Sequence, residues 1–150
     1  MTLTQRNVEL VEEVFNTVED RDPVRFAELC DRECELHWPP SLPYGGVDRN
    51  MGPDDQRAVT WGRTWAPLQP TERERNLSPR VVAANDREVV VHWMQRGLSV
   101  DGERIESPVL GLYKVRDGKL LRGQMFYFDP VAVGRFLERA SDSASAAGRE

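Results

Sequence analysis

Lysine is almost missing from this 150-residue chain: Lys114 and Lys119 stand against abundant arginine. Such a bias is common where the genome is GC-rich, and the source expected from it is actinobacterial. A basic stripe is missing too. Acidic residues outnumber basic ones 25 to 20, for a formal net charge of -5, and the two signs are interspersed, which excludes the electrostatic footprint of a nucleic-acid binder. No apolar run is long enough to span a bilayer, so no membrane partner is expected. Met1 to Arg6 leads directly into a helical pattern without the basic and apolar regions of a signal peptide, and the expected location is the cytoplasm. Cysteine is limited to Cys30 and Cys34, expected to be reduced. With His37 they have metal-like spacing, but no fourth ligand lies nearby and the three straddle a helix end and a strand; two buried thiols are expected, not zinc. Phosphate-binding glycine loops, nucleophile elbows and cofactor fingerprints are all absent, so no cofactor is expected.

What is present is pattern. Val8, Val11, Val14, Phe15 and Val18 recur at three- and four-residue spacing opposite Glu9, Glu12, Glu13 and Glu19, which predicts an amphipathic first helix. Asp22 before Pro23 reads as an N-cap with proline in the first helical position, opening a short second helix that ends near Asp31. From Glu33 the period becomes two: Cys34, Leu36 and Trp38 alternate with Glu33, Glu35 and His37, as on a strand with one buried face. Prolines and glycines interrupt residues 39–53, expected to form a lip or lid, and residues 54–65 read as a third helix with Trp61 and Trp65 on one stripe. The charged run around Thr71 to Arg75 is expected to be a solvated connection. Strands are expected over 80–84, 88–100, 103–116 and 119–128, with Asp101-Gly102 and Asp117-Gly118 as type I′ turns. Val131, Val133, Phe136 and Leu137 predict a last helix. A single domain is expected over 1–140, followed by a disordered tail at 141–150, which is small and polar with nothing to bury.

Two segments carry a resemblance: residues 108–120, with the Asp117-Gly118 turn, and the ending Phe126-Tyr127-Phe128-Asp129. Together with the order of elements they resemble the SnoaL-like and nuclear transport factor 2-like superfamily, over roughly residues 5 to 140. The resemblance implies an α+β, cone-shaped fold, in which a curved antiparallel sheet wraps around N-terminal helices to leave a deep apolar pocket. It leaves the chemistry open, because ketosteroid isomerases, polyketide cyclases, epoxide hydrolases, dehydratases and noncatalytic binders share that fold. The Arg-x-Asp pair and the last-strand Asp of the epoxide-hydrolase branch fall on Trp93, Gln95 and Phe126, which disfavours that activity. The isomerase general base falls on Trp38, its acidic oxyanion donor near Ser107 and its first-helix tyrosine near Val14.

In that register the pocket is expected to be aromatic and nearly uncharged. Trp38, Trp93, Gln95, Ser107, Tyr113, Gln124, Phe126 and Phe128 are its expected substrate-binding residues, with Trp61 and Trp65 across the cavity. Aromatics are core residues first, and simple core filling is the alternative for each of them. Tyr44, His37, His92 and Asp129 are the candidates for proton transfer. Tyr44 in the lid could donate to a substrate oxygen. His37 shares the polar face of its strand with Glu33 and Glu35 but could be turned toward the pocket mouth by Pro39. Alternation puts His92 behind Trp93 and Gln95, a surface or interfacial place, and Asp129 before Pro130 is suited to be an N-cap.

The runs Val89-Val90-Val91 and Val109-Leu110 are apolar on both faces, so something is expected to cover the back of the sheet. A homodimer through that outer face would do so, as the family implies. The leading expectation for function is a cofactor-independent enzyme of cyclase or isomerase type acting on an apolar or aromatic small molecule, a polyketide or terpenoid intermediate of bacterial secondary metabolism. A noncatalytic dimer that binds a hydrophobic ligand is the alternative, and a scaffold with a filled pocket is the third.

Overall fold

The computed structural model describes residues 1–49 and 67–147. Helix α1, Leu3–Glu19, begins at a capping box: Thr2 Oγ1 accepts from the Gln5 amide at 3.1 Å, and Gln5 Oε1 accepts from the Thr2 amide at 2.8 Å. Its apolar stripe buries Val11, Val14 and Phe15. Helix α2, Pro23–Leu29, starts at the expected Asp22 cap, whose carboxylate accepts from the Arg25 amide at 3.0 Å, and it buries Phe26. Strand β1, Cys30–Trp38, follows without a linker. Cys30 and Cys34 are both buried.

The sheet has six strands in the order β2-β1-β6-β5-β4-β3, with β2 Gly46–Asp48, β3 Arg80–Ala84, β4 Glu88–Leu98, β5 Arg104–Arg116 and β6 Lys119–Tyr127. All its pairings are antiparallel except β1 with β6, which is parallel, so the expected antiparallel sheet is in fact mixed. The turn at Asp117-Gly118 has positive φ at both residues, 50° and 73°, as a type I′ hairpin requires. At Asp101-Gly102 only the glycine is positive, at 89°, so that turn is of a different type.

A further expectation is corrected in part. The connection before β3 is only partly solvated: Thr71, Glu72 and Arg73 are exposed, but Leu68, Gln69, Glu74 and Leu77 are buried, and a one-turn helix α3, Glu72–Arg75, lies within it. Backbone pairing holds this segment against β4, the Leu98 amide donating to the Pro67 carbonyl and the Met94 amide to the Leu77 carbonyl, both at 2.8 Å. The buried Glu74 carboxylate pairs with Arg104. The last helix, α4, runs over Pro130–Ala147. Its first turns are anchored by buried Val133, Phe136, Leu137 and Ala140, and an alanine- and serine-rich continuation is easily propagated from such a nucleus.

Candidate functional site

Strands β4 and β5 alternate strictly. Val89, Val91, Trp93 and Gln95 point to the concave face, opposite Tyr113, Gly111, Val109 and Ser107 of β5, and all of these are buried. Gly111 is required here: a Cβ on it would lie 2.5 Å from the Tyr113 ring, which rests over its backbone. Phe15 of α1 meets this face edge-on, 6.1 Å from Trp93 and 5.6 Å from Tyr113 between ring centroids. Between the helices and the sheet lies an apolar cavity of about 50 Å³, lined by Val14, Phe15 and Val18 of α1, Phe26 of α2, Leu36 and Trp38 of β1, Trp93, Tyr113, Leu120 and Met125 of the sheet, and Leu77 and Arg21. That is room for a handful of heavy atoms, so a polycyclic ligand would require the walls to part.

Polar groups gather beside this cavity. The Tyr127 hydroxyl donates to Gln95 Oε1 at 3.2 Å and lies 2.7 Å from the Tyr44 hydroxyl. With its one proton committed to Gln95, Tyr127 accepts from Tyr44, and a chain runs from the loop after β1 to the middle of β4. Trp38 packs edge-on to Tyr44 and Trp93 edge-on to Tyr127, which ties the chain to the cavity wall. Burial raises the pKa of all three tyrosines: Tyr44 and Tyr113 rise, and Tyr127 rises well above 10.0, with Tyr44 beside it adding to the effect. These phenols are hydrogen-bond donors and not bases. Gln95 Nε2 and, directly across the ladder, Ser107 Oγ are buried without a partner among the described residues. The Tyr113 hydroxyl donates to Met125 Sδ at 3.4 Å.

The structure brings together Tyr44, Trp38, Trp93, Gln95, Ser107 and Tyr113, but it separates Gln124, Phe126, Phe128, His37, His92 and Asp129 from them. Gln124, Phe126 and Phe128 point away from the cavity: Phe126 is 51% and Phe128 84% exposed, and Gln124 accepts from Arg122 at 2.9 Å on the outer face. The reason is a bulge. Val115 pairs with Leu120 but Lys114 pairs with Arg122, so Leu121 is an extra residue that switches the parity of β6. Counting from the Asp117-Gly118 turn without the bulge puts the even residues inside, whereas Gly123, Met125 and Tyr127 are the buried set.

The other proton-transfer candidates are also displaced. His37 lies on the outer side of β1, 3.3 Å from Glu35, whose second oxygen pairs with Arg49 at 2.5 Å. These two partners hold the Glu35 carboxyl below its usual pKa, His37 being the larger cause. His92 is on the outer face of β4, between Arg80 and Leu110. Asp129 is the N-cap of α4, its carboxylate accepting from the Ala132 amide at 3.0 Å. Trp61 and Trp65 lie outside the described residues. Met125, Tyr127 and Arg21 belong to the site and were missed. The two on β6 needed only the bulge, but a single arginine between two aspartates in a helix-to-helix turn carries no sequence signal. Among the described residues no group of three His, Cys, Asp or Glu side chains is placed to hold a metal ion.

Helices packed into the concavity of a curved six-stranded sheet, with an apolar pocket between them, define an α+β cone of the nuclear transport factor 2-like class. The SnoaL-like domain family matches residues 11–123, and the chain belongs to that family. No curated protein matches it in sequence. Solved structures that share the fold include an NTF2-like protein from Burkholderia pseudomallei, with TM-score 0.72, 16% identity, and coverage of 91% of this chain and 98% of the other. A candidate SnoaL-like polyketide cyclase from Jannaschia has TM-score 0.68 and 16% identity, with 89% and 92% covered. TerC, co-crystallised with polyporic acid, has TM-score 0.66 and 18% identity, with 89% and 98% covered. At such identities the likeness is one of fold. Among the described residues no helix is long and apolar enough to cross a membrane.

Proposed function

We propose that this protein receives a small apolar or aromatic molecule in the cavity between α1, α2 and the sheet. The observation that carries the reading is the lining itself: five aromatic rings, Phe15, Phe26, Trp38, Trp93 and Tyr113, face one space together with aliphatic side chains, and buried donors wait beside it. The polycyclic and quinonoid ligands suggested by the names of two structural relatives, a candidate polyketide cyclase and a protein crystallised with polyporic acid, are consistent with an aromatic guest. A polyketide or terpenoid intermediate belongs to the same chemical class. The cavity volume favours a single ring or requires movement of the wall. Mass spectrometry of protein purified under native conditions, and quenching of tryptophan fluorescence by added indole or naphthol, test this reading. Saturable binding that is lost in Met125→Trp, which fills the cavity, is expected; equal binding by that variant would remove the site.

Retention without conversion fits the described lining directly, because it contains neither carboxylate nor imidazole. Cyclisation or isomerisation is the second reading, favoured by the chain of Tyr44, Tyr127 and Gln95 with Ser107 opposite. Neutral donors fixed in an apolar site can stabilise charge developing on a carbonyl oxygen while the walls hold the reactive conformer. Hydrolysis by paired carboxylates is not supported. Tyr127→Phe separates the two readings: it should leave binding of indole within about twofold, while turnover of a cyclase substrate should fall by about 100-fold, the loss typical of one such donor.

We also propose that the protein works as a homodimer. The outer face of the sheet presents Leu110, Phe126 and Phe128 at 41%, 51% and 84% exposure, a contiguous apolar area with charged residues of both signs around it, including Glu35, Arg122, Arg96 and Glu106. A second copy of the same face satisfies both features under two-fold symmetry, since opposite charges can exchange partners across the axis.

A further inference from the structure

The turn between α1 and α2 brings a charge to an otherwise apolar cavity. After Glu19 the chain closes through Asp20-Arg21-Asp22, with the Arg21 amide donating to the Val18 carbonyl at 3.2 Å and the Asp22 amide to the Thr17 carbonyl at 2.9 Å. Arg21 holds φ at +56°, the left-handed conformation that helix ends usually give to glycine. A large side chain at such a position is an expensive choice for the backbone, and here it is directed into the cavity lining. Among the described residues it makes one hydrogen bond, Nη2 donating to the Gln69 carbonyl at 2.6 Å, an oxygen that Arg75 Nε also approaches, at 3.3 Å. Among the described residues no carboxylate lies within ion-pairing distance of Arg21, although Asp20 and Asp22 flank it in sequence. The Gln69 side chain is fully buried with both amide atoms unpartnered.

Arg21 is half-buried, and its guanidinium has five donors in a planar fork, of which the Gln69 carbonyl engages one. Burial, and to a lesser degree the charge of Arg75, lower its pKa, as expected where no anion compensates it; the group remains protonated. Phe15, Phe26, Trp38 and Trp93 supply the apolar walls of the same space. We infer that Arg21 is the head-group recognition residue of this site, and that the ligand is a small aromatic or apolar carboxylate whose anion takes the free edge of the Arg21 guanidinium while its ring occupies the cavity. The inference rests on the cavity being a ligand site. It adds the sign of the ligand's charge and the residue that reads it. A bidentate pair of this kind supplies the missing counter-charge and fixes which end of the ligand enters first.

Calorimetric titration with benzoate and its neutral isostere benzamide tests this, alongside indole as a neutral probe of the cavity. The variants are Arg21→Asn, which suits the left-handed backbone, and Arg21→Lys, which keeps the charge; circular dichroism checks that both fold. Wild type should bind benzoate at least about tenfold more tightly than benzamide, a difference of about 1.4 kcal/mol. Arg21→Asn should abolish that preference, and Arg21→Lys should keep part of it. Equal binding of benzoate and benzamide to wild type, with indole still bound, overturns the role of Arg21 and leaves the cavity reading intact. A preference for benzoate that survives in Arg21→Asn overturns it as well. Failure of all three probes to bind removes the cavity reading and this inference together.

Discussion

On the concave side of the sheet, Trp93 and Tyr113 are 3% exposed and Tyr127 9%, each in edge-on contact with another ring. On the outer side of the same strands, Leu110 and Phe126 leave 41% and 51% of their surface in water. Within β6 the contrast is between neighbours: Met125 and Tyr127 are buried and Phe126 between them is not. The two faces are therefore not distinguished by composition, since both hold large apolar side chains. They differ in what stands opposite. Helices α1 and α2 cover the concave face, while the outer face has no covering element among the described residues. Aromatic residues on the first face shape a cavity, and those on the second lie at the surface. Parity alone decides to which group a residue belongs.

The strongest way to break this comparison is to change parity. Deleting Gln124 would turn Met125 and Tyr127 outward and Phe126 inward, exchanging buried and exposed sets over the end of β6. The expected loss is more than about 4 kcal/mol, beyond the range of ordinary single substitutions. Deleting Leu121 should cost far less, about 1–2 kcal/mol, because it removes the extra residue of the bulge and leaves Gly123, Met125 and Tyr127 facing the core. Urea denaturation followed by circular dichroism gives both values. Equal losses would mean that the bulge is not what sets the faces of β6.

A milder test truncates one ring on each face. Trp93→Ala should lower stability by about 3–5 kcal/mol, the range for large aromatics in packed cores, whereas Phe128→Ala on the outer side should stay within about 0.5 kcal/mol. Both are read from the urea midpoint at fixed protein concentration. A large effect of Phe128→Ala that shrinks on dilution would point to association, because dilution removes what wild type gains from its partner, and would count Phe128 as part of an interface.

Alkaline titration sharpens the concave side further, because the chain's three tyrosines, Tyr44, Tyr113 and Tyr127, all lie there. Each has its folded-state pKa raised above the ordinary 10.0, chiefly by burial. The folded protein then holds its phenolic protons where the unfolded chain releases them, so this contribution to stability is complete below pH 10 and is lost as the pH rises above it. Tyrosinate absorbance near 295 nm should therefore stay flat past pH 10 and appear together with the loss of circular dichroism. A tyrosine that ionises reversibly near pH 10 in the folded protein would contradict the burial of this cluster.

Sequence reasoning reached the concave residues of β4 and β5 because two regular strands alternate from end to end, and Trp93, Gln95, Ser107 and Tyr113 follow from any one of them. It failed on β6 for a physical reason. A bulge adds one residue without changing composition, and every position beyond it changes face, which is how Phe126 and Tyr127 were exchanged. Leu68, Gln69, Glu74 and Leu77 were illegible for another reason: a charged, proline-flanked segment becomes interior only when its backbone pairs with β4 and Arg104 reaches Glu74. Arg21 is set by the hand of one backbone turn. Capping was easier to read, since Asp22 before Pro23 and Asp129 before Pro130 act over three residues of chain. The family could be read from the closing hairpin while much of the site could not, because the hairpin is local and the site depends on parity and tertiary pairing.

The smallest expected change in the stability of the single chain is also the one that decides the role of the outer face. The double variant Leu110→Ser, Phe126→Ser replaces two exposed side chains that lie across the ladder from each other. Neither is packed against the helices, so the fold should lose no more than about 1 kcal/mol, two surface substitutions of at most about 0.5 each. If a second copy covers this face, the same change removes two buried apolar side chains from each half of a symmetric interface. Association should weaken by at least about 100-fold, since burying even one such side chain contributes about 1.5–3 kcal/mol. Light scattering coupled to size exclusion at micromolar concentration should give twice the chain mass for wild type and a single chain mass for the variant. Wild type eluting as a monomer would end the homodimer proposal and leave the outer aromatics to be explained by another partner. A variant that stays dimeric would place the interface elsewhere. In either case the contrast between the faces would survive as a statement about packing within one chain, and it would lose its meaning for assembly.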